Sequence, residues 1–375
     1  MLIQQVELFL IEQQLKIPFK TSYGLYENRE SIIVKLLDEN GVEGFGEVVS
    51  FSEPWYTAET IQTSLHVLQN FIIPTILNRV FNHPTEVAET LKMFKGNPMA
   101  KAGIEGAYWD LFSKINGISL SSALGGTREA IPVGVVVSIN EPAIMQKQIE
   151  SFQKEGYERF KVKVSRENDY EVISTIRDRF PTISLMIDAN SDYTLSDIEQ
   201  IKKLDQFQLL MIEQPFGDRD FLQHAILQKE LSTPICLDES IYSLEDVEIA
   251  NALQACKIIT IKPGRVGGLT EALKIHHYCI ENNIPVWVGG MIETGISRIQ
   301  NVALASLTGF TIPGDISASS RHWEQDIILP EVKLENGKVK VPNGIGLGIT
   351  VDEERIRKLS KNVYKFSNEP LKNKI

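Results

Sequence analysis

Cysteine is scarce in this 375-residue chain: Cys236, Cys256 and Cys279 are the only three, odd in number and without a CxxC pair. A disulfide framework is therefore not expected, and free thiols in a reducing compartment are. Positive charge is not in surplus either. The formal net charge is −11, from 38 basic and 49 acidic residues. Nucleic acid and anionic membrane surfaces recruit basic patches, so neither is expected as a partner. No apolar run approaches the roughly 20 residues of a membrane helix. The opening MLIQQVELFLIEQQ has no basic stretch followed by an apolar core; it alternates as a strand does. A cytoplasmic location is expected. Low-complexity segments and linkers are missing too. With 43% hydrophobic and 23% charged residues, the chain reads as folded and soluble.

What the chain has is a rhythm. FKVKV at 160–164, MIDAN at 186–190, MIEQP at 211–215, CLDES at 236–240 and TIKPG at 260–264 are short apolar runs ending on a polar or charged tip. Asp188, Glu213 and Asp238 follow one another at intervals of 25 residues; Lys163 stands 25 before Asp188 and Lys262 24 after Asp238. A period near 25 fits one strand, one helix and two loops. Charged tips on successive buried strands are what an α/β barrel presents at its catalytic face. Strands are expected at 133–139, 159–164, 184–189, 209–214, 234–239, 258–262, 285–290 and, short, near 310–316. Intervening helices make the strands parallel, and eight such units close a barrel.

Around this barrel, residues 1–127 read as an α+β domain. IQQVELFLIEQ, SIIVKLLDENG and VEGFGEVV form a three-stranded meander, with Asn40-Gly41 as a hairpin turn. Between the first two strands, KIPFKTSYGLYENRE is long enough for a lid loop. Helical spacing runs from Ala58 to Gly125. The barrel is assigned to 128–320. Residues 321–375 contain a hairpin at Asn336-Gly337 and are expected to return to the first domain. The fold class expected is α/β: a modified (β/α) TIM-type barrel with an N-terminal α+β capping domain completed by the C-terminal segment.

Three carboxylates from three strand ends, Asp188, Glu213 and Asp238, suit a hard divalent cation, Mg²⁺ (or Mn²⁺), with places left for substrate. Lys161 and Lys163 are two apart and share a face of their strand. Each is expected to lower the other's pKa, as a lysine base requires. Lys262 lies across the barrel, so two lysines flank one substrate carbon, an arrangement suited to removing a proton beside a carboxylate. Asn190 and Glu239 are supporting candidates, although alternation should turn Glu239 away from Asp238. Gly289 and Gly290 leave room at the barrel mouth. Trp55, Tyr56 and Trp323 are candidates for an apolar lining. His276 and His277, adjacent on a helix, cannot face one ligand together.

These residues carry a family resemblance. KVKV, IDAN, IEQP, LDES, IKPGRVGG, VGGMIETG and PGDIS together resemble the muconate-lactonizing branch of the enolase superfamily, and within it the o-succinylbenzoate synthase / N-succinylamino acid racemase group. The resemblance covers nearly the whole chain. It implies an acid/base pair at Lys163 and Lys262 and metal ligands at Asp188, Glu213 and Asp238. It also implies a capping loop around Phe19 and Tyr23 that closes over a small-molecule carboxylate, and an arginine at Arg265 that serves the racemase-capable members. Gly290 is placed with these substrate-binding residues. Members of related branches place a histidine on the seventh strand or Asp-x-Asp at the eighth; here the stretches are VGGMIETG and Gly314-Asp315-Ile316-Ser317. A homo-oligomer is expected.

Overall fold

The computed structural model describes residues 1–20, 25–77, 79–137 and 140–367. Period-two alternation produces an antiparallel meander of Ile3–Lys20, Leu25–Asp38 and Glu43–Val48. Ser360–Ser367 pairs with the free side of Ile3–Lys20, so the C-terminal segment returns as a fourth strand. Both faces of this sheet are covered. Val6, Leu8, Leu10, Ile32, Val34 and Leu36 pack into the capping core, while Phe9, Ile11 and Ile33 join the larger cluster that includes the barrel. The stretch expected to be a lid loop is largely ladder: Gln14 opposes Asn28 and, after an irregularity, Phe19 opposes Tyr26 and Lys20 opposes Leu25. Polar alternation conceals this extension, because a hairpin arm beyond the core needs no apolar face. Residues 21–24, Tyr23 among them, lie outside the described residues, as does the side chain of Phe19.

The helix Pro98–Ile115 packs on Glu43–Val48 at close range because glycines meet there. A Cβ on Gly46 would stand 2.0 Å from the carbonyl oxygen of Gly103, and one on Gly103 2.5 Å from Val48 Cγ2. The same helix docks the cap on the barrel. Buried Glu105 accepts from the backbone N–H of Leu269 (2.8 Å) and Thr270 (2.9 Å), at the start of the barrel helix Leu269–Glu281. Glu47 does likewise for Thr294 (3.0 Å) and Ser297 (3.2 Å) at the start of Gly295–Ala305. Carboxylates on free N–H groups at helix starts are favourable, so two capping acids fix the orientation of cap on barrel.

Seven parallel strands curl in sequence order: Gly134–Val137, Arg159–Lys163, Ser184–Asp188, Ile212–Glu213, Ile235–Leu237, Ile258–Ile261 and Val286–Val288. Their apolar runs are continuous because helices cover the outer face. The eighth expected strand is not a regular strand. Phe310 and Gly314 form single parallel bridges with Val286 and Val133, and Pro313 removes a donor between them. The segment still spans from the seventh strand to the first: Gly134 N–H donates to Gly314 (2.8 Å) and Asp315 N–H to Val288 (3.0 Å). The Asn336-Gly337 hairpin forms as expected, both residues with positive φ, between Leu334–Glu335 and Lys338–Lys340.

Candidate active site

Strand register brings the charged tips together. Lys163 opposes Asp188 and Asp188 opposes Glu213, while Asp238 follows the end of Ile235–Leu237 by one residue. Below them the barrel is plugged by Met186, Met211, Cys236, Ile258 and Trp287. The Lys161 ammonium lies 5.4 Å from the Trp287 ring centroid and among three acids: Glu213 Oε2 at 2.8 Å, Asp188 Oδ2 at 3.0 Å and Asp315 Oδ2 at 3.2 Å. Lys163 donates to Asp188 Oδ2 (3.2 Å) and to Asn190 Oδ1. Lys262 donates to Asp238 Oδ2 (2.7 Å) and to the hydroxyl of Tyr56 (3.0 Å).

The expected mutual depression of the lysines is overturned at Lys161. Burial pulls its pKa down, but the charges of Asp188, Asp315 and Glu213 hold it well above the ordinary value. Burial and the Asp188 charge push Glu213 well up, against Lys161. Burial raises Asp238, but Arg265 and Lys262 outweigh that and hold it well below the carboxylate range. Opposite charge therefore decides at Lys161 and Asp238, and burial with like charge at Glu213.

Glu239 corrects a second expectation. The strand ends at Leu237, alternation ends with it, and Glu239 comes back to the site, where Oε1 accepts from Asn190 Nδ2 at 2.9 Å. Burial, with the charges of Asp238 and Asp188, raises it to about 7. Asn190, at φ +42°, thereby links Lys163 to Glu239. Arg265 sits behind Asp238, with no exposed surface. It donates to Asp238 Oδ1, Ile241 O (2.8 Å), Tyr56 OH (2.9 Å) and Thr260 O (3.2 Å), all within the protein. The two glycines serve packing: a Cβ on Gly290 would stand 2.1 Å from Asp315 O, and one on Gly289 2.7 Å from Lys262 Cε. Trp323 is buried and donates to Glu293 O at 3.1 Å.

The structure adds one residue that the sequence did not propose, Asp315, and a contact for one that it did, Tyr56. Asp315, within PGDIS, holds both Lys161 and Arg159 (2.7 Å). Tyr56 is expected from sequence only as lining, and no spacing can show that it reaches Lys262, 206 residues away.

The carboxylate set fits a hard divalent cation. Three buried acids come from three adjacent strand ends, and Glu213 Oε2, close to Lys161, has no hydrogen bond. As the side chains stand, no three acids among the described residues converge at ligand distance; the Lys161 ammonium lies between Asp188 and Glu213.

A curled parallel sheet with carboxylates and lysines at its C-terminal ends, under an α+β cap, defines an α/β-barrel enzyme. The chain belongs to the enolase superfamily. Residues 144–355 match the "Enolase C-terminal domain-like" family and residues 5–125 the "Mandelate racemase / muconate lactonizing enzyme, N-terminal domain" family. Members of this superfamily generally depend on a divalent metal. The chain is 54% identical over 356 residues to the o-succinylbenzoate synthase of Bacillus subtilis (strain 168), covering 95% of this chain and 96% of that protein. It is 42% identical over 351 residues to an N-succinylamino acid racemase of Thermus thermophilus, covering 93% and 95%. An enolase-superfamily protein crystallised from Listeria innocua superimposes with a TM-score of 0.96 at 41% identity, covering 98% of this chain and 99% of that one. No helix among the described residues is long and apolar enough to cross a membrane.

Proposed function

We propose that this chain is an o-succinylbenzoate synthase of menaquinone biosynthesis, dehydrating a cyclohexadiene carboxylate to the aromatic product. The observation that carries the reading is the pair of amines, Lys163 from the second barrel strand and Lys262 from the sixth, each held by a carboxylate of one shared cluster. Asp188, Glu213 and Asp238 would hold Mg²⁺ (or Mn²⁺), which when bound neutralises part of their charge and polarises a substrate carboxylate. Lys163 takes the proton from the carbon beside that carboxylate. The Lys262 ammonium stabilises the charge that develops on the carboxylate oxygens. The hydroxyl of the neighbouring carbon leaves as water, taking up a proton that Lys163 now carries, so atoms and charge balance. Asn190 and Glu239 hold Lys163 in place, Lys161 balances the carboxylate cluster, and Arg265 holds Asp238. The substrate's far end faces the cap. The chain works in the cytoplasm, and as a homo-oligomer, whose size light scattering of the purified protein checks.

The second reading, racemisation of N-succinylamino acids, uses the same first proton transfer and is favoured by two amines on one cluster. The test offers purified protein with Mg²⁺ both substrates side by side, with a chelator control. Dehydration lost on chelation, restored by Mg²⁺ and abolished in Lys163→Ala and Lys262→Ala is expected. Turnover in either alanine variant sinks the mechanism; racemisation without dehydration leaves the site and overturns the synthase assignment.

A further inference from the structure

The two lysines are held in different ways. Among the described residues, Lys163 is anchored by the barrel alone, through Asp188 and Asn190. Lys262 has one anchor from the barrel, Asp238, and one from the cap, the Tyr56 hydroxyl. An ammonium has three donors, so these two bonds leave one to face the pocket. The Tyr56 oxygen also accepts from Arg265 at 2.9 Å, which fixes it from behind. Tyr56 itself is held by the cap. It meets Phe51 and Trp55 edge-on at 6.0 Å between centroids; Trp55 also lies 4.3 Å from Phe51 and 5.6 Å from Tyr26, on the second strand of the meander.

We propose that Tyr56 is a positioning residue through which the capping domain sets the place of Lys262, and Lys262 only, so that one of the two faces of the substrate carbon depends on the cap and the other on the barrel. This deepens the reading of Lys163 and Lys262 as an opposed acid/base pair and rests on it. Arg265 donates to both partners of Lys262, but Asp238 is also a ligand in the proposed cation site, which leaves Tyr56 as the partner outside that site.

The test follows deuterium exchange at the α-carbon of each enantiomer of N-succinylphenylalanine in D₂O with Mg²⁺, by proton NMR. The unaltered protein, Lys262→Ala and Tyr56→Phe are compared; Phe keeps the ring contacts. Loss of a hydrogen bond to a charged group predicts that Tyr56→Phe slows exchange by about tenfold or more for the enantiomer that Lys262→Ala loses. The other enantiomer stays within about twofold. Equal slowing of both, as general loosening would give, overturns the proposal, and so does no slowing. A second measurement needs no turnover: brief acetic anhydride labelling, with peptide mass spectrometry. The ratio of Lys262 to Lys163 labelling rises by about threefold or more in Tyr56→Phe if the phenol holds the amine, and an unchanged ratio overturns the proposal. If the unaltered protein exchanges neither enantiomer, the racemase reading fails and the labelling ratio alone decides for or against Tyr56.

Discussion

Adding one methyl group at Gly289 presses on Lys262 and on Thr260 of the neighbouring strand. Gly289 closes the seventh barrel strand, its N–H donating to Ile261 O at 2.9 Å. Its φ is not in the left-handed region, so alanine brings no backbone strain there. A Cβ would stand 2.6 Å from Thr260 Cγ2, 2.7 Å from Lys262 Cε and 2.8 Å from Lys262 Cγ. Ordinary contact begins near 3.4 Å, so the lysine stem must recede by roughly 0.7 Å. Overpacking of this kind costs about 1–3 kcal/mol of stability. Its effect on turnover is larger: a misplacement near 1 Å costs up to about a hundredfold. Gly289→Ala is therefore expected to remain folded at 25 °C while kcat for dehydration falls by roughly ten- to a hundredfold. Steady-state kinetics beside a denaturant unfolding curve separates the two effects. A kcat that falls only in proportion to the folded fraction would falsify the view that this glycine makes room for a catalytic lysine.

Three further outcomes are expected. Arg265→Met leaves Asp238 buried beside one cation instead of two, and a loss of about 3–5 kcal/mol in urea unfolding is expected; a loss under about 1 kcal/mol means Lys262 suffices. Gly46→Ala drives a Cβ into backbone, 2.0 Å from Gly103 O and 2.8 Å from Ala107 N, where nothing can swing aside. It should cost about 3 kcal/mol or more, and a midpoint unchanged in thermal unfolding refutes this packing. Burial raises Glu293 from 4.5 to about 7, with Arg298 opposing and the Glu47 charge adding. A folded pKa above the unfolded one means the folded state keeps the proton longer, so stability falls as pH rises from 4.5 to 7 and is level beyond. Glu293→Gln has no such proton and should gain up to about 3 kcal/mol relative to the unaltered protein between pH 4.5 and 8. A difference that does not change with pH shows that this carboxyl does not titrate there.

The sequence by itself determined the barrel and the charged tips of its strands. A parallel strand buried on both faces must be a continuous apolar run, so the first polar residue marks where it leaves the core. That is why Lys163, Asp188, Glu213, Asp238 and Lys262 were legible from spacing alone, and why the Asn-Gly turns at 40–41 and 336–337 were too. Tertiary structure decided whatever depends on partners far apart in the chain. Glu239 faces the site because a three-residue strand stops before it, and alternation gives no information past a strand end. Lys161 is a high-pKa ammonium because the charges of Asp188, of Asp315, 154 residues away, and of Glu213 surround it. Arg265 lies behind Asp238 because its short helix, Pro263–Val266, turns it inward. The long first hairpin was hidden because an arm that buries little carries no apolar pattern. Local periodicity records which face of an element is buried; only the packed fold sets which charges meet there, and their sum fixes each proton.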